Sequence, residues 1–318
     1  MRTNTRLNTM LDQTESKRLC VWGRNDAERQ MIRRRQAAGE LLHVGNRCYA
    51  RPSYWQGLTE FERFRHLVRS LSRKHPHWVF GGPTAALMHG VCDSHRQMRT
   101  IHRVIEGNAM VRGTDIVTSH YVTDASHVVV DGVKVTPLPR TVFDCARWME
   151  FPDALAVADS LLRQGRMTRE GLRDSFLRER GRHADRAFRV ADNATGRTDN
   201  GGESYAYGVI LEEGFAKPMV QAAMPCLNEN GNPDRVDFLW TTGDGRRIVA
   251  ELDGRIKYRD ESMYRNGSLP DTVIAEKERE ERVRMVVDGF VRFSFGEAYR
   301  RVPLIRKLEW AGVPRLTG

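Results

Sequence analysis

The sequence predicts a multi-domain α/β protein, and three observations predict it. The 318 residues exceed what one hydrophobic core usually serves. A helix-forming stretch rich in arginine, followed directly by a small basic hairpin, lies near the N-terminus. Toward the other end, residues 234–257 read as two strands joined by a tight turn, with carboxylates gathered where the strands end. The 40% hydrophobic and 29% charged content is ordinary for a globular chain. A net charge of +10 points to a polyanionic partner, because basic excess neutralises phosphates and gains from counterion release.

In chain order, Asp12 to Cys20 is expected to form a short helix. Asn25-Asp26-Ala27-Glu28 has the form of a capping box, with Asn25 accepting from the helix N-terminus and Glu28 reaching back. The helix it opens carries Arg29, Arg33, Arg34 and Arg35, offers Met31, Ile32 and Ala38 to the core, and ends at Gly39. Leu41 to Val44, a Gly45-Asn46 turn and Arg47 to Arg51 then form the hairpin. Helix followed by basic hairpin is the pattern of a winged helix-turn-helix, so residues 1–56 are expected to bind DNA. The arginine-rich helix would enter the major groove, with Arg47 and Arg51 of the wing against phosphate or minor groove. The bland alternative is that the arginine run is a solvated face.

Residues 57–195 are expected to form an α+β middle domain. Thr59-Glu60-Phe61-Glu62 is a second capping box, opening a helix with Phe61, Phe64, Leu67, Val68 and Leu71 on one face. Trp78 to Gly82 reads as a strand leading into a helix that Pro83 starts. Short strands follow at Ile101–Ile105, Ile116–Val122, Val128–Val130 and Val133–Val135, with Asp131-Gly132 as the tightest hairpin signal. Helices are expected over Arg140–Glu150, Pro152–Gln164 and Thr168–Arg178. His89, Cys92, His95 and His102 are zinc-type ligands, but the helix ends at Gly90, so surface histidines and a buried Cys92 are the better expectation. Asp144 and Asp159 are expected on helix surfaces or caps. No G-x-S-x-G, P-loop or G-x-G-x-x-G motif occurs, which removes nucleophile-elbow, P-loop and dinucleotide chemistry. Arg178 to Gly202 is polar and Gly/Asn/Asp-rich, the best candidate boundary, with a surface helix through Ala184–Val190 before it.

The final segment, 196–318, holds the chemistry. Val236, Phe238 and Trp240 alternate with Asp237 and Leu239, and Ile248-Val249-Ala250 leads into Glu251. Gly243-Asp244-Gly245 supplies positions for a tight reversal. The hairpin brings Asp237 beside Glu251 and Asp253, and the last two, two apart on a strand, share a face. Gathered carboxylates repel unless a cation lies between them, and oxygen-only ligands suit Mg²⁺ or Mn²⁺ rather than zinc. Lys257 would supply positive charge to a phosphate. Sheet-edge charges in water are the alternative.

The order Glu203 on an amphipathic stretch, Asp237, Glu251-x-Asp253-Gly254, a charged helix Ala275–Glu280 and a strand Phe290–Phe295 resembles the PD-(D/E)XK nuclease superfamily. The likeness is to the small domains related to very-short-patch-repair endonucleases. The resemblance implies a restriction-endonuclease-like α/β domain and metal-dependent cleavage of DNA leaving a 5′ phosphate. It implies Glu203, Asp237, Glu251, Asp253 and Lys257 as catalytic residues, with Mg²⁺ (or Mn²⁺) on Asp237, Glu251 and Glu203. Tyr258, Glu276, Lys277 and Arg279 would position the site. The sequence departs from the superfamily's Glu-x-Lys, because Asp253 stands in the lysine slot and the nearest lysine is Lys257.

Residues 10–55, a helix then G-x-L-x-x-V-G-x-x-x-Y-A, resemble the N-terminal domain of AbiEi antitoxins of type IV toxin–antitoxin systems, which repress their own operon. Pro139 to Arg147 resembles the middle domain accompanying such winged helices. The resemblance implies a repressor with a possible cognate toxin as partner, its nuclease-like domain then non-catalytic. Phage defence is the expected setting of the nuclease reading.

No apolar run approaches the roughly 18 residues a membrane span needs, and MRTNTRLNTM lacks a signal-peptide core. Five dispersed cysteines without a C-x-x-C pair predict reduced thiols in the cytoplasm.

Overall fold

The computed structural model describes residues 5–107, 114, 116–228, 231–253 and 269–316, the side chains of 226, 227 and 269–273 excepted. Two compact units divide the chain: residues 1–148 with 175–184, and residues 149–174 with 185–318. The expected boundaries after residues 56 and 195 therefore differ from the observed division.

In the first unit, α1 (Thr5–Ser16) and α2 (Asp26–Ala37) precede a hairpin of β1 (Leu42–Gly45) and β2 (Cys48–Ala50). Helix α1 starts and ends earlier than the expected Asp12–Cys20. Leu7, Leu11, Val21, Ile32 and Leu41 form a small core, with Met10, Met31 and Tyr49 packed against it. Ala38, expected inside, is exposed as the C-cap of α2, and Gly39 follows at φ 76°. The hairpin turn falls one residue later than expected. Asn46 and Arg47 both have positive φ (43° and 57°), as a two-residue type I′-like turn requires, and Gly45 at φ 126° absorbs a register shift.

Residue 57 falls inside the first unit. Cys20 and Cys48 share one core with Phe64, Val68 and Leu71 of α4 (Glu60–Lys74), and the Cys20 N–H donates to the buried Ser70 Oγ at 2.7 Å. The short α3 (Pro52–Gln56) joins the hairpin to α4, which Thr59 and Glu62 open with the expected reciprocal box. A mixed sheet follows, of β3 (Val79–Phe80), β4 (Ile101–Glu106), β5 (Val117–Val122), β6 (Val128–Val130) and β7 (Val133–Val135), in the order β5-β4-β3-β7-β6. The β6–β7 hairpin turns on Asp131 and Gly132, at φ 53° and 72°, as its sequence predicts. Helices α5 (Gly82–His89) and α6 (Leu138–Trp148) complete the unit.

The second unit takes α7 (Phe151–Arg163), most of α8 (Arg169–Leu177), α9 (Ala184–Asn193) and all that follows. Helix α7 packs on α10 (Gly201–Glu212). A Cβ on Gly208 would lie 2.6 Å from Pro152 Cα, so only glycine permits this approach. Thr195 to Thr198, which reads as linker, is pinned. Buried Asp159 Oδ1 accepts from Thr195 N–H (2.6 Å) and Gly196 N–H (2.8 Å), and Arg163 donates to Thr198 O at 3.1 Å. Asp159 is thus a core acceptor, not a surface or cap residue. Asp144 of α6 is likewise fully buried, between Arg140 and Arg147.

A four-stranded sheet, in the order β11-β10-β9-β8, carries the candidate site: β8 (Met219–Leu227), β9 (Pro233–Thr241), β10 (Arg247–Asp253) and β11 (Gly289–Ser294). Of the three turn positions expected to reverse the chain between β9 and β10, Gly245 alone has positive φ (86°). Strands β10 and β11 run parallel, joined through α11 (Leu269–Arg284), while β8–β9–β10 are antiparallel. Tyr207 of α10 stacks with Phe238 on one face, and Val283 of α11 packs with Val249 on the other. Helices α12 (Phe295–Arg300) and α13 (Val302–Trp310) close the chain. No helix among the described residues is long and apolar enough to cross a membrane. Among the described residues Cys20, Cys48, Cys92 and Cys145 take part in no disulfide.

Candidate functional site

The acidic site is built from the first turn of α10, the start of β8, the middle of β9 and the end of β10. Asn200 caps α10, its Oδ1 accepting from Glu203 N–H at 3.0 Å. Glu203 reaches back one residue further than a standard capping box, accepting Asp199 N–H at 2.8 Å on Oε2 and Asn200 Nδ2 at 2.6 Å on Oε1. Glu28 of α2 does the same, accepting Arg24 N–H (3.0 Å) rather than the N–H of its own cap Asn25. The cap fixes where the Glu203 carboxylate points.

Gln221 of β8 joins that carboxylate to Asp237. Its Nε2 donates to Glu203 Oε2 at 3.0 Å and to Asp237 Oδ1 at 3.1 Å. The backbone there is unusual: Gln221 has φ 52°, a region that residues with a Cβ enter at a cost. The register places Gln221 opposite Asp237, between the pairs Val220–Phe238 and Ala222–Val236. At this point strand alternation breaks. Val236 packs with Val249 and Val283 on the α11 side, whereas Phe238 stacks on Tyr207 of α10. Asp237 is turned toward Glu203 at this break, and the Leu252 N–H fixes its other oxygen at 2.8 Å.

Glu251 lies next to Asp237 across the ladder, one step beyond the Ala250–Phe238 pair, as expected. Its own carboxylate faces α11. Arg279 NH1 and NH2 donate to Glu251 Oε1 and Oε2, both at 2.8 Å, in a bidentate pair in which Glu251 is only 4% exposed. Arg279 also grips Glu276 through Nε (3.0 Å) and NH2 (2.8 Å), and donates to Arg235 O at 2.9 Å. Arg292 of β11 binds Glu276 and Glu280, each at 2.8 Å, so α11 is tied to the sheet by charge. Asp253, half-buried at the end of β10, pairs with Ser294 of β11. Lys257, Gly254 and Tyr258 lie outside the described residues.

The electrostatics follow from this placement. Burial, then the charge of Glu203, push the Asp237 carboxyl up to about 7. The Leu252 N–H opposes the shift, Glu251 adds to it, and Arg279 opposes it from further away. Arg279 is held as a cation. Burial works against its charge, but the hydrogen bonds and charges of Glu251 and Glu276 outweigh burial and raise its pKa.

By chemistry the donor set fits Mg²⁺ or Mn²⁺, being all oxygen. A divalent ion would also relieve the Glu203–Asp237 repulsion that raises Asp237. By placement the fit needs rearrangement, since Gln221 stands between Glu203 and Asp237 and Arg279 covers Glu251. Among the described residues no group of three or more His, Cys, Asp or Glu is arranged to hold an ion. That holds for the histidines too: His89 meets Thr136 O, His95 meets Glu60, and His102 meets His120.

Sequence reasoning missed Gln221 and Arg292, and it gave Arg279 only a supporting place. Nothing in Val220-Gln221-Ala222 marks a bridging amide. The i, i+3 pair Glu276–Arg279 is readable, but its reach to Glu251 depends on the parallel return to β11.

The candidate DNA-binding surface belongs to the first unit. Arg33 and Arg34 are exposed on α2, and Arg47 is exposed at the hairpin tip. Among the described residues none of the three forms a salt bridge. Arg29 pairs with Asp26 and Arg35 with Glu40. Arg51 is engaged internally, donating to Asp12 and Glu15 of α1, each at 2.7 Å.

No family model matches the chain. Over 125 residues it is 32% identical to the uncharacterized protein MT2308 of Mycobacterium tuberculosis (strain CDC 1551 / Oshkosh), covering 39% of this chain and 44% of that protein. The same figures relate it to the uncharacterized protein Rv2248 of Mycobacterium tuberculosis (strain ATCC 25618 / H37Rv). The chain thus spans less than half the length of the curated relatives it matches.

Proposed function

We propose that this chain binds DNA through α2 and the β1–β2 hairpin, and that its second unit is a nuclease-like domain acting on phosphodiesters. One observation carries the proposal. Glu203 and Asp237, from a helix and the middle of a strand, share a single amide donor, Gln221, whose own backbone is strained, beside Glu251. Buried like charges and strained backbone cost stability, and such costs concentrate at functional sites. Asp237, Glu203 and Glu251 would hold Mg²⁺ or Mn²⁺. The ion supplies an acidified water and neutralisation of phosphate charge. Leu252 N–H and Gln221 orient Asp237, the Asn200 cap orients Glu203, and Arg279 sets a fixed positive charge against Glu251. Asp253 and Lys257 are the remaining candidates for contact with the phosphate.

A second reading is favoured by the Arg279–Glu251 pair. A guanidinium that already satisfies both Glu251 oxygens does electrostatically what an ion would do. The protein is then a non-catalytic repressor or antitoxin of type IV toxin–antitoxin kind, its nuclease-like domain degenerate and its toxin a separate partner. Supercoiled plasmid incubated with Mg²⁺ or Mn²⁺ separates the two. Nicking that is lost in both Asp237→Ala and Glu251→Ala supports the enzyme. Sequence-specific mobility shifts without nicking support the regulator, and no DNA binding of either kind overturns both.

A further inference from the structure

The first unit carries a concave basic surface apart from α2 and the hairpin. Two adjoining hollows, each about 280 Å³, share Lys17, Leu19 and Arg73. The first is completed by Arg24 and Trp22, the second by Arg18 and by Arg69, which is itself paired with Asp131. The folding of the chain explains the gathering. Helix α1 ends at Ser16, Arg18 takes φ 54° to turn the chain back, and Leu19 and Cys20 dive into the core against Ser70 of α4. The turn leaves Lys17 and Arg18 outside, beside Arg73 from the last turn of α4.

Several arginines of this unit find carboxylates among the described residues, Arg29 with Asp26, Arg35 with Glu40, and Arg51 with Asp12 and Glu15, while Arg33, Arg34 and Arg47 of α2 and the hairpin do not. Lys17, Arg18, Arg24 and Arg73 are all exposed, and among the described residues none of them forms a salt bridge. Asp131 lines the second hollow and Glu28 and Glu62 lie within electrostatic reach of Arg24 and Arg18, yet cations still outnumber carboxylates there, which raises the local potential, and a concave wall concentrates it. Trp22 gives one hollow a half-buried aromatic wall, on which a flat base can stack.

We infer that this surface is a binding site for a phosphate-bearing ligand with a planar base, a nucleotide either free or within a nucleic-acid strand. Lys17, Arg24 and Arg73 take the phosphates, Arg18 extends the charge along the second hollow, and Trp22 takes the base. The site is independent of the α2 arginines and of the acidic site in the other unit, so it stands whether or not the chain cleaves DNA.

The full chain is titrated at 0.1 M salt with a fluorescent ATP analogue and, separately, with a labelled single-stranded 12-mer. Lys17→Glu/Arg73→Glu is compared with Arg33→Glu/Arg34→Glu. The expected result is saturable binding of at least one probe, weakened about tenfold or more by the first pair and less than about threefold by the second. Trp22→Leu is expected to weaken the same probe about tenfold, as loss of a stacking wall would. Binding of the ATP analogue identifies a free nucleotide, and binding of the oligonucleotide alone identifies a strand. Lys17→Ala/Arg73→Ala, with an unchanged melting curve, guards against misfolding of the charge-reversed protein. Absence of binding to both probes, or binding indifferent to the Lys17 and Arg73 changes, overturns the assignment.

Discussion

Arg279 holds both carboxylate oxygens of Glu251 at 2.8 Å, across the gap between α11 and β10, with Glu276 completing the grip from the helix side. Without Arg279 the buried Glu251 keeps only the longer ion pair with Arg292, at 3.7 Å. Arg279→Ala should therefore destabilise the protein by about 3 kcal/mol. Adding Glu251→Gln should recover a large part of the loss, because the stranded carboxylate is gone. Urea unfolding of the two single variants and the double variant checks this. Additive losses would mean that the pair contributes no coupling.

The raised pKa of Asp237 gives an inverted pH dependence. The folded-state value of about 7 lies above the unfolded value, so the native state binds the extra proton between them. Stability contributed by this group is present at low pH and falls as pH rises from about 4 through 7. Asp237→Asn should flatten that slope and raise stability at pH 8 by on the order of 1–2 kcal/mol. Melting curves of both proteins at pH 5, 6, 7 and 8 test the sign. A gain for Asp237→Asn at pH 5 but none at pH 8 would contradict it.

Gln221 does two things at once, and two substitutions separate them. Gln221→Gly relieves the positive φ, a strain on the order of 1 kcal/mol or more, but removes the bridge between Glu203 and Asp237. Gln221→Glu keeps the length and replaces a donor with a third buried carboxylate. At pH 8 it should cost about 2 kcal/mol or more. Millimolar Mn²⁺ should restore part of that loss only if the cluster accepts a cation. Thermal shift with and without Mn²⁺ reads this directly, without requiring activity.

In the first unit, Asp144 is enclosed by Arg140 and Arg147, and Arg140 also reaches Glu179 at 3.1 Å. Asp144→Ala leaves two arginines against a dry wall and should cost about 3–5 kcal/mol. A loss below about 1 kcal/mol by denaturant titration would show that the arginines simply turn to solvent.

Local elements were legible wherever a short-range rule controls them. Thr59-x-x-Glu62 capped its helix, Asp131-Gly132 made its hairpin, and the valine runs became strands within a residue or two. In the second unit, the run of α10, hairpin, charged helix and strand was also readable, and so was the adjacency of Asp237 and Glu251. What escaped was long-range. Asp144 and Asp159 look like surface residues because a helix surface is where an aspartate usually sits. Asp144 pairs with Arg140 and Arg147 of its own helix, so there only the inward turn of that helix face escaped, whereas Asp159 is held by the distant Thr195 and Gly196 amides. The polar stretch before Gly202 reads as linker because composition does not record that Asp159 and Arg163 tie it down. Gln221 escaped for a similar reason, its role being set by strand register and one reversed dihedral.

The chain passes from one compact unit to the other three times, at Trp148, after Asp174 and after Ala184, as a thread does in a seam. No single cut can free either half whole. A fragment ending near residue 195 keeps α7 without the α10 it packs on, and one starting there lacks the Pro152 turn that Gly208 meets. Trials of the isolated halves should report on broken pieces, and inactivity in such fragments would say nothing about the chemistry of the intact chain.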